Sequence, residues 1–213
     1  MIELEYSEDE YDILRELFNV AMGQAGKSLA LLLKSFVELS VPDIKIVHAE
    51  KVINTIIENS PFTENEIITA VRQTFYNQNH VDGETIVLFG DNSFVTIAEI
   101  LGLAGTSDEN FQKELLLEIA NIVGGASING FSNQLFGNEM TFTPPTILNE
   151  KTPLNKLLYG TFMRSQIRWA YTLLIKIKFK LKHEDFKSGL LVFMSEKSIE
   201  TIKAALDKKL EEM

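Results

Sequence analysis

Two stretches of sequence with the same spacing of polar residues decide the fold: residues 12–19 are DILRELFN, and residues 114–121 are ELLLEIAN. In each stretch a carboxylate is followed four positions later by a glutamate, and three positions after that by an asparagine. Apolar side chains recur between them at helical spacing. Each stretch is therefore predicted to lie in a long amphipathic helix.

The polar residues of each stretch are expected on one outward face of its helix. Positions i and i+3 are neighbours on a helix surface, and a residue one turn earlier extends the same face. Glutamate and asparagine are poor choices for a helix core, and asparagine has low helix propensity. We expect a patch of three polar groups on each helix: Asp12, Glu16 and Asn19 on the first, and Glu114, Glu118 and Asn121 on the second.

The match between the halves extends beyond these helices. At the same offset of 102 residues Pro42 falls on Pro144, and residues 88–97 resemble residues 193–202 at an offset of 105. Each half also has the same predicted order of a long helix, strands and a shorter helix. The sequence predicts one domain over residues 1–213, made of pseudo-symmetric halves at about 1–105 and 106–213.

The elements are predicted from periodicity and from turn residues. The first helical segment is expected over about 9–38, loosened or broken near Gly23 and Gly26, with 28–37 as a second helical stretch. The second long helix is expected over about 110–128. The stretch 52–57 is ambiguous, and a polar loop is expected before the long strand at 167–181. In that strand Lys176, Lys178 and Lys180 alternate with apolar residues, which predicts one solvated face. The remaining predicted elements are strands at 44–47, 66–76, 84–90 and 190–194, a short strand after Pro145, and helices at about 92–103 and 196–210.

Composition excludes several classes of protein. The 213 residues carry 20 Lys and Arg against 30 Asp and Glu, a net charge of −10 that disfavours nucleic acid and anionic membranes as partners. There is no cysteine, which removes disulfides, thiolate metal sites and cysteine nucleophiles. No signal peptide or apolar run of membrane-spanning length is evident. We expect a soluble cytoplasmic protein.

The full pattern resembles the signature of the CheC/CheX/FliY phosphatases of bacterial chemotaxis. That signature is Asp or Ser, three residues, Glu, two residues, Asn, twenty-two residues and Pro. The first half matches throughout, at Asp12, Glu16, Asn19 and Pro42. The second half matches at Glu118, Asn121 and Pro144, and has Glu114 where the family has Asp or Ser.

Within that family the sequence is most similar to CheC. CheX proteins carry one signature, whereas this chain carries two. FliY proteins carry two but continue into a flagellar-switch domain, which we do not expect here because the sequence ends directly after the last predicted helix. The resemblance implies an α/β fold of the α+β kind, in which two long, symmetry-related helices pack on a mostly antiparallel sheet.

The resemblance also implies an activity, namely hydrolysis of the aspartyl phosphate of the receiver protein CheY. Asn19 and Asn121 would orient the attacking water, and Glu16 and Glu118 would contact the receiver's lysine. Asp12 and Glu114 would support docking, while Pro42 and Pro144 would be structural, setting where each strand begins. No cofactor or metal of its own is implied, because the receiver brings its own Mg²⁺.

Two alternatives stay open beside the phosphatase. The first is a non-catalytic regulatory scaffold that binds CheY or the receptor deamidase CheD, as CheC relatives do. The second is nucleotide binding, suggested by the Walker-like run from Ala21 to Ser28. The second is disfavoured, because a phosphate loop follows a strand and opens a helix, whereas this run lies inside a predicted helix.

Overall fold

A computed structural model describes residues 5–40, 42–58, 60–103, 108–162, 170–181 and 186–212. Six α-helices and eight strands are defined within these ranges, with a short 3₁₀ turn at Ala49–Lys51. The helices are α1 (Glu8–Leu33), α2 (Val52–Ile57), α3 (Ser93–Ile100), α4 (Glu109–Phe136), α5 (Leu154–Phe162) and α6 (Glu196–Glu211). The strands are β1 (Val37–Leu39), β2 (Asp43–His48), β3 (Ile67–Tyr76), β4 (Asp82–Gly90), β5 (Thr141–Phe142), β6 (Thr146–Pro153), β7 (Tyr171–Leu181) and β8 (Ser188–Met194).

Both long helices have well-formed ends. The Ser7 hydroxyl accepts a hydrogen bond from the Glu10 amide and the Glu10 carboxylate accepts one from the Ser7 amide, a capping box that starts α1. Asp108 caps α4, and Gly137 ends it with a positive φ of 69°. α1 ends at Leu33, five residues earlier than predicted, because Lys34 adopts a left-handed conformation there.

Glu10 is almost completely buried and is held by a cation from the last helix. Lys203 on α6 donates to its carboxylate at 2.6 Å. Burial would raise the pKa of Glu10, but the hydrogen bonds from Lys203 and Ser7 outweigh it and leave the pKa below its ordinary value. This pair ties the start of α1 to the C-terminal helix.

The sheet has the strand order β1-β7-β8-β4-β3-β5, with β2 also pairing with β7 and β6 with β3. Every described pair is antiparallel. If β1, β2, β3 and β4 are exchanged for β5, β6, β7 and β8 respectively, the strand order reads the same from the opposite edge of the sheet. β4 and β8 form the centre of the sheet. α4 contacts β3, β4 and β6, and α1 contacts β1 and β2.

Helices cover both faces of the sheet. α1, α4, α3 and α6 pack on one face, where Val71, Phe75 and Ile175 point. α2 and α5 pack on the other, together with the alternate strand residues such as Ala70 and Leu174. The predicted fold class is confirmed: two long helices lie on an antiparallel sheet.

Several predicted elements differ from the structure. Gly23 and Gly26 do not interrupt α1, and α4 continues eight residues past 128, to Phe136. The ambiguous stretch forms α2, and the expected loop before β7 contains part of β6 and α5. β7 is described from Tyr171, and residues 167–169 of the predicted strand lie outside the described ranges.

The prediction of one solvated lysine face on β7 is wrong for Lys176. This residue is only 9% exposed, because α2 covers its side of the sheet. Its ammonium donates to the carbonyls of Thr55 and Glu58 at 2.7 and 2.9 Å and lies 3.0 Å from the Asp43 carboxylate. Lys176 therefore places a positive charge at the C-terminal end of α2, where the helix dipole is negative.

α1 and α4 pack against each other in opposite directions. Gln134 on α4 donates to the Leu17 carbonyl at 3.1 Å, and the Phe18 and Phe131 rings stack at 4.5 Å. A Cβ on Gly130 would stand 2.9 Å from the Ala21 Cα, so only glycine allows this approach. α4 is long and apolar enough to cross a membrane, but most of that stretch is buried within the fold, as in a core helix.

Candidate functional site

The two Glu-x-x-Asn pairs lie on the outer surface of the helical layer. Glu16, Asn19, Glu118 and Asn121 are all exposed, as are Asp12 and Glu114. The intervening apolar residues are buried against the sheet and the partner helix. The amphipathic pattern fixes this outcome, because burying one stripe of a helix leaves positions i and i+3 of the opposite side in solvent.

The pairs form two separate sites. Since α1 and α4 are antiparallel and Leu17 lies against Gln134, Asn121 lies near the level of Ala30 rather than of Asn19. Eleven residues of helix correspond to about 16 Å along the axis. A single small group could not contact both amides at once.

The first site opens into a groove. Asn19 forms one end of a depression of about 390 Å³ between α1 and the segment that contains β1. Gly23, Lys27, Phe36 and Ser40 are among its lining residues. Within the described part of the chain, the Asn19 side chain makes no hydrogen bond and Glu16 makes no ion pair. Both groups are available to a partner.

Asp12 is not free in the same sense. Its carboxylate pairs with Arg15 at 2.5 Å, one turn along α1, and both side chains are exposed. The Arg15 guanidinium also lies over the Tyr11 ring at 5.7 Å. An exposed pair of this kind contributes little stability, so a partner could compete for Asp12 at low cost.

The second site is more constrained. The Asn121 Oδ1 accepts a hydrogen bond of 2.9 Å from Gln73, a buried residue of β3. The same Gln73 amide donates to the carbonyl of Thr143, also at 2.9 Å. Glu114 and Glu118 have no ion pair among the described residues. The second asparagine is therefore anchored to the sheet, whereas the first is not.

The two prolines of the motif occupy unequal places. Ser40 and Thr143 make the same hydrogen bonds, each donating its backbone N–H to the neighbouring strand, to Lys178 and Thr74 respectively. By that equivalence Pro145, not Pro144, stands where Pro42 stands. Pro42 is buried directly before β2, whereas Pro144 is exposed and lies one residue further from β6.

A glycine follows each asparagine by four residues. Beyond its own helix backbone and chain neighbours, nothing lies within 4 Å of the position that a Cβ would take at Gly23 or at Gly125. Packing therefore does not explain these two glycines. Gly124 differs, because its Cβ would stand 3.0 Å from the Thr85 hydroxyl, and it allows α4 to approach the sheet.

The Walker-like run from Ala21 to Ser28 lies wholly inside α1, so its backbone amides are engaged in the helix. The described residues contain no group of three or more His, Asp or Glu side chains placed to hold a metal.

No protein-family model matches the sequence. Solved structures do match the fold. FliY from Thermotoga maritima superimposes with a TM-score of 0.66 at 16% identity, over 98% of this chain and 100% of that one. The chain has the fold of the CheC, CheX and FliY proteins.

Two further solved structures share this fold. A chemotactic CheC-like protein from Shewanella oneidensis gives a TM-score of 0.52 at 13% identity, over 83% of this chain and 96% of that one. The FliM middle domain from Vibrio alginolyticus gives 0.59 at 13% identity, over 90% and 99%. The resemblance stated from the motif is thus confirmed at the level of the fold.

Gln73 lies outside the Glu-x-x-Asn motif. Its signal was present, since Val71, Gln73 and Phe75 share one face of β3 and Gln73 is the polar residue among apolar neighbours. A polar side chain on the buried face of a strand needs a hydrogen-bond partner. Which partner it has depends on the packing of α4, which the pattern does not specify.

Proposed function

We propose that the protein is a phosphatase for the aspartyl phosphate of a CheY-like receiver. The observation that carries this proposal is the pair of exposed Glu-x-x-Asn patches, one on each long helix, on a fold shared with chemotaxis proteins. If these residues served only to keep the helix surface polar, the same glutamate and asparagine would not have to recur at equivalent positions on both helices.

The chemistry needs little from the protein beyond positioning. An aspartyl phosphate is an activated acyl phosphate, and the receiver supplies the divalent cation. The phosphatase has to hold a water molecule in line with the phosphorus atom. A carboxamide suits this role, because it donates and accepts hydrogen bonds, carries no charge and does not compete as a nucleophile. Glutamine does the same for the attacking water in GTPases.

Asn19 and Asn121 are assigned as the water-orienting amides. Glu16 and Glu118, one helical turn earlier, would pair with a lysine at the edge of the receiver's active site and so fix the register of the complex. Asp12 and Glu114 would extend the docking face. Since the amides lie about 16 Å apart along the helices, each would serve a separate receiver molecule.

The test is the rate of dephosphorylation of a phosphorylated CheY with and without the protein. We expect acceleration by the wild type and its loss in the Asn19→Ala, Asn121→Ala double variant, by roughly a hundredfold or more. Each single variant should keep the activity of the other site. Asn110→Ala is the matched control, because Asn110 is exposed in the first turn of α4, eleven residues from Asn121. A double variant as active as the wild type would disprove the assignment.

A binding scaffold is the second candidate. The observation in its favour is the similarity to the FliM middle domain, which extends over 90% of this chain. A scaffold for CheY or for a CheD-type partner would bind without altering the lifetime of the phosphate. Tight receiver binding by a wild type that leaves the dephosphorylation rate unchanged would favour this candidate over the phosphatase.

A further inference from the structure

Gln73 lies directly beneath the second site. It is 3% exposed and points from β3 toward α4, in the layer that also contains Val71 and Phe75. Gly124 of α4 lies beside it, since a Cβ at that position would be in ordinary van der Waals contact with the Gln73 Oε1, at 3.5 Å. A glutamine buried this deeply must have its polar atoms matched or bear the cost of leaving them unpaired.

The hydrogen bonds of Gln73 determine the orientation of Asn121. A backbone carbonyl can only accept, so the Gln73 group that faces Thr143 has to be its NH₂. The same NH₂ faces Asn121 at 2.9 Å, and the Asn121 atom turned toward it must therefore be the oxygen. Rotating the Asn121 amide by half a turn would bring two NH₂ groups together.

The arrangement leaves the outward half of the Asn121 amide free. Oδ1 retains a second acceptor lone pair, and Nδ2 points away from Gln73. Gln73 is itself left with an unpaired Oε1 within the described part of the structure. The Gln73 Oε1 thus stays unpaired in the arrangement in which the Gln73 NH₂ orients the exposed Asn121 side chain.

The first site has no such anchor. By the hydrogen-bond equivalence of Ser40 with Thr143, the residue that corresponds to Gln73 is Ile177 of β7. Ile177 is 1% exposed and belongs to the apolar core, so it offers nothing to Asn19. The duplicated motif therefore has an amide of fixed orientation in one half and an amide that can rotate in the other.

We propose that Gln73 is a positioning residue for Asn121, which makes the second site a pre-oriented amide site and distinguishes it from the first. The catalytic consequence rests on the function proposed above. A water molecule would donate to the remaining lone pair of Oδ1 while Nδ2 donates to a phosphoryl oxygen. No side-chain rotation then has to be lost between the docked complex and the transition state.

The test isolates the second site. Asn19→Ala removes the first amide, and Gln73→Met is then added, since methionine has similar length but no hydrogen-bonding NH₂ group. We expect the kcat for dephosphorylation of phosphorylated CheY to fall roughly two- to tenfold with little change in KM, the effect of freeing one side-chain rotor. In the Asn121→Ala background, where Asn19 is intact and the first site carries the activity, adding Gln73→Met should cause no such fall. An equal fall in both backgrounds would show a packing defect and overturn the proposal, as would the absence of any fall.

A second measurement does not depend on activity. In the wild type, NMR relaxation of the side-chain amides should give a higher order parameter for Asn121 than for Asn19, and Gln73→Met should lower that of Asn121 to the value of Asn19. Equal order parameters in the wild type would refute the role of Gln73. If the wild type fails to dephosphorylate CheY, the proposed function fails, and this measurement still decides whether Gln73 positions Asn121.

Discussion

Two glycines of α4 should respond in opposite ways to the same substitution. At Gly125 a methyl group would meet nothing within 4 Å, whereas at Gly130 it would stand 2.8 Å from the Ala21 Cβ and 2.9 Å from the Ala21 Cα. Alanine is favoured over glycine inside a helix by about 0.5–1 kcal/mol. Gly125→Ala should therefore raise the free energy of unfolding by that amount, which corresponds to a Tm increase of about 1–4 °C for a chain of this size.

Gly130→Ala has the same gain in helix propensity but forces α1 and α4 apart. Overpacking against a rigid backbone costs about 1–3 kcal/mol, here toward the upper end because the Ala21 Cα cannot rotate away. The net effect should be a loss of about 2 kcal/mol after the propensity gain of about 1 kcal/mol. Urea unfolding followed by far-UV circular dichroism measures both variants. A stabilised Gly130→Ala, or a Gly125→Ala that loses stability, would refute this description of the helix pair.

Two further perturbations test other parts of the structure. Glu10→Gln should reduce the loss of unfolding free energy between pH 6 and pH 3. The pKa of Glu10 is depressed in the folded state, so its carboxylate contributes stability above its unfolded pKa of about 4.3. That contribution is lost as the pH falls through the folded pKa. Equal acid sensitivity of variant and wild type in urea titrations would contradict this. Phe36, which is 63% exposed at the groove beside Asn19, should contribute to receiver docking at the first site. Phe36→Ser should raise the KM for phosphorylated CheY roughly fivefold in the Asn121→Ala background, the loss of about 1 kcal/mol of apolar burial, and a similar increase in the Asn19→Ala background would count against a local role.

Local pattern was sufficient to predict the faces of the long helices. Glu16 and Asn19 are exposed because Leu14 and Phe18 take the buried stripe, and that division follows from 3.6 residues per turn. The continuation of α4 to Phe136 was missed, because Ser127 and Ser132 resemble loop residues in sequence, although both are fully buried between elements. The roles assigned to the site residues and the division of the chain into halves stay predictions.

The lysines of β7 show where pattern fails. Alternation correctly separated Lys176 from Ile175 and Ile177, but it could not show that α2 covers the second face of the sheet. A strand with one polar face looks the same whether that face meets water or the end of a helix. The position of α2 decides that Lys176 binds the Thr55 and Glu58 carbonyls.

The sequence alone determined two amphipathic helices with matched Glu-x-x-Asn patches, because helical periodicity is a property of neighbouring residues. Only the tertiary structure decided that the two patches differ. Gln73 and Asn121 are 48 positions apart in the chain, and the antiparallel register of β3 and the close approach of α4 at Gly124 bring them within hydrogen-bonding distance. Such a contact depends on how separate elements pack, which the spacing of residues along one helix does not encode.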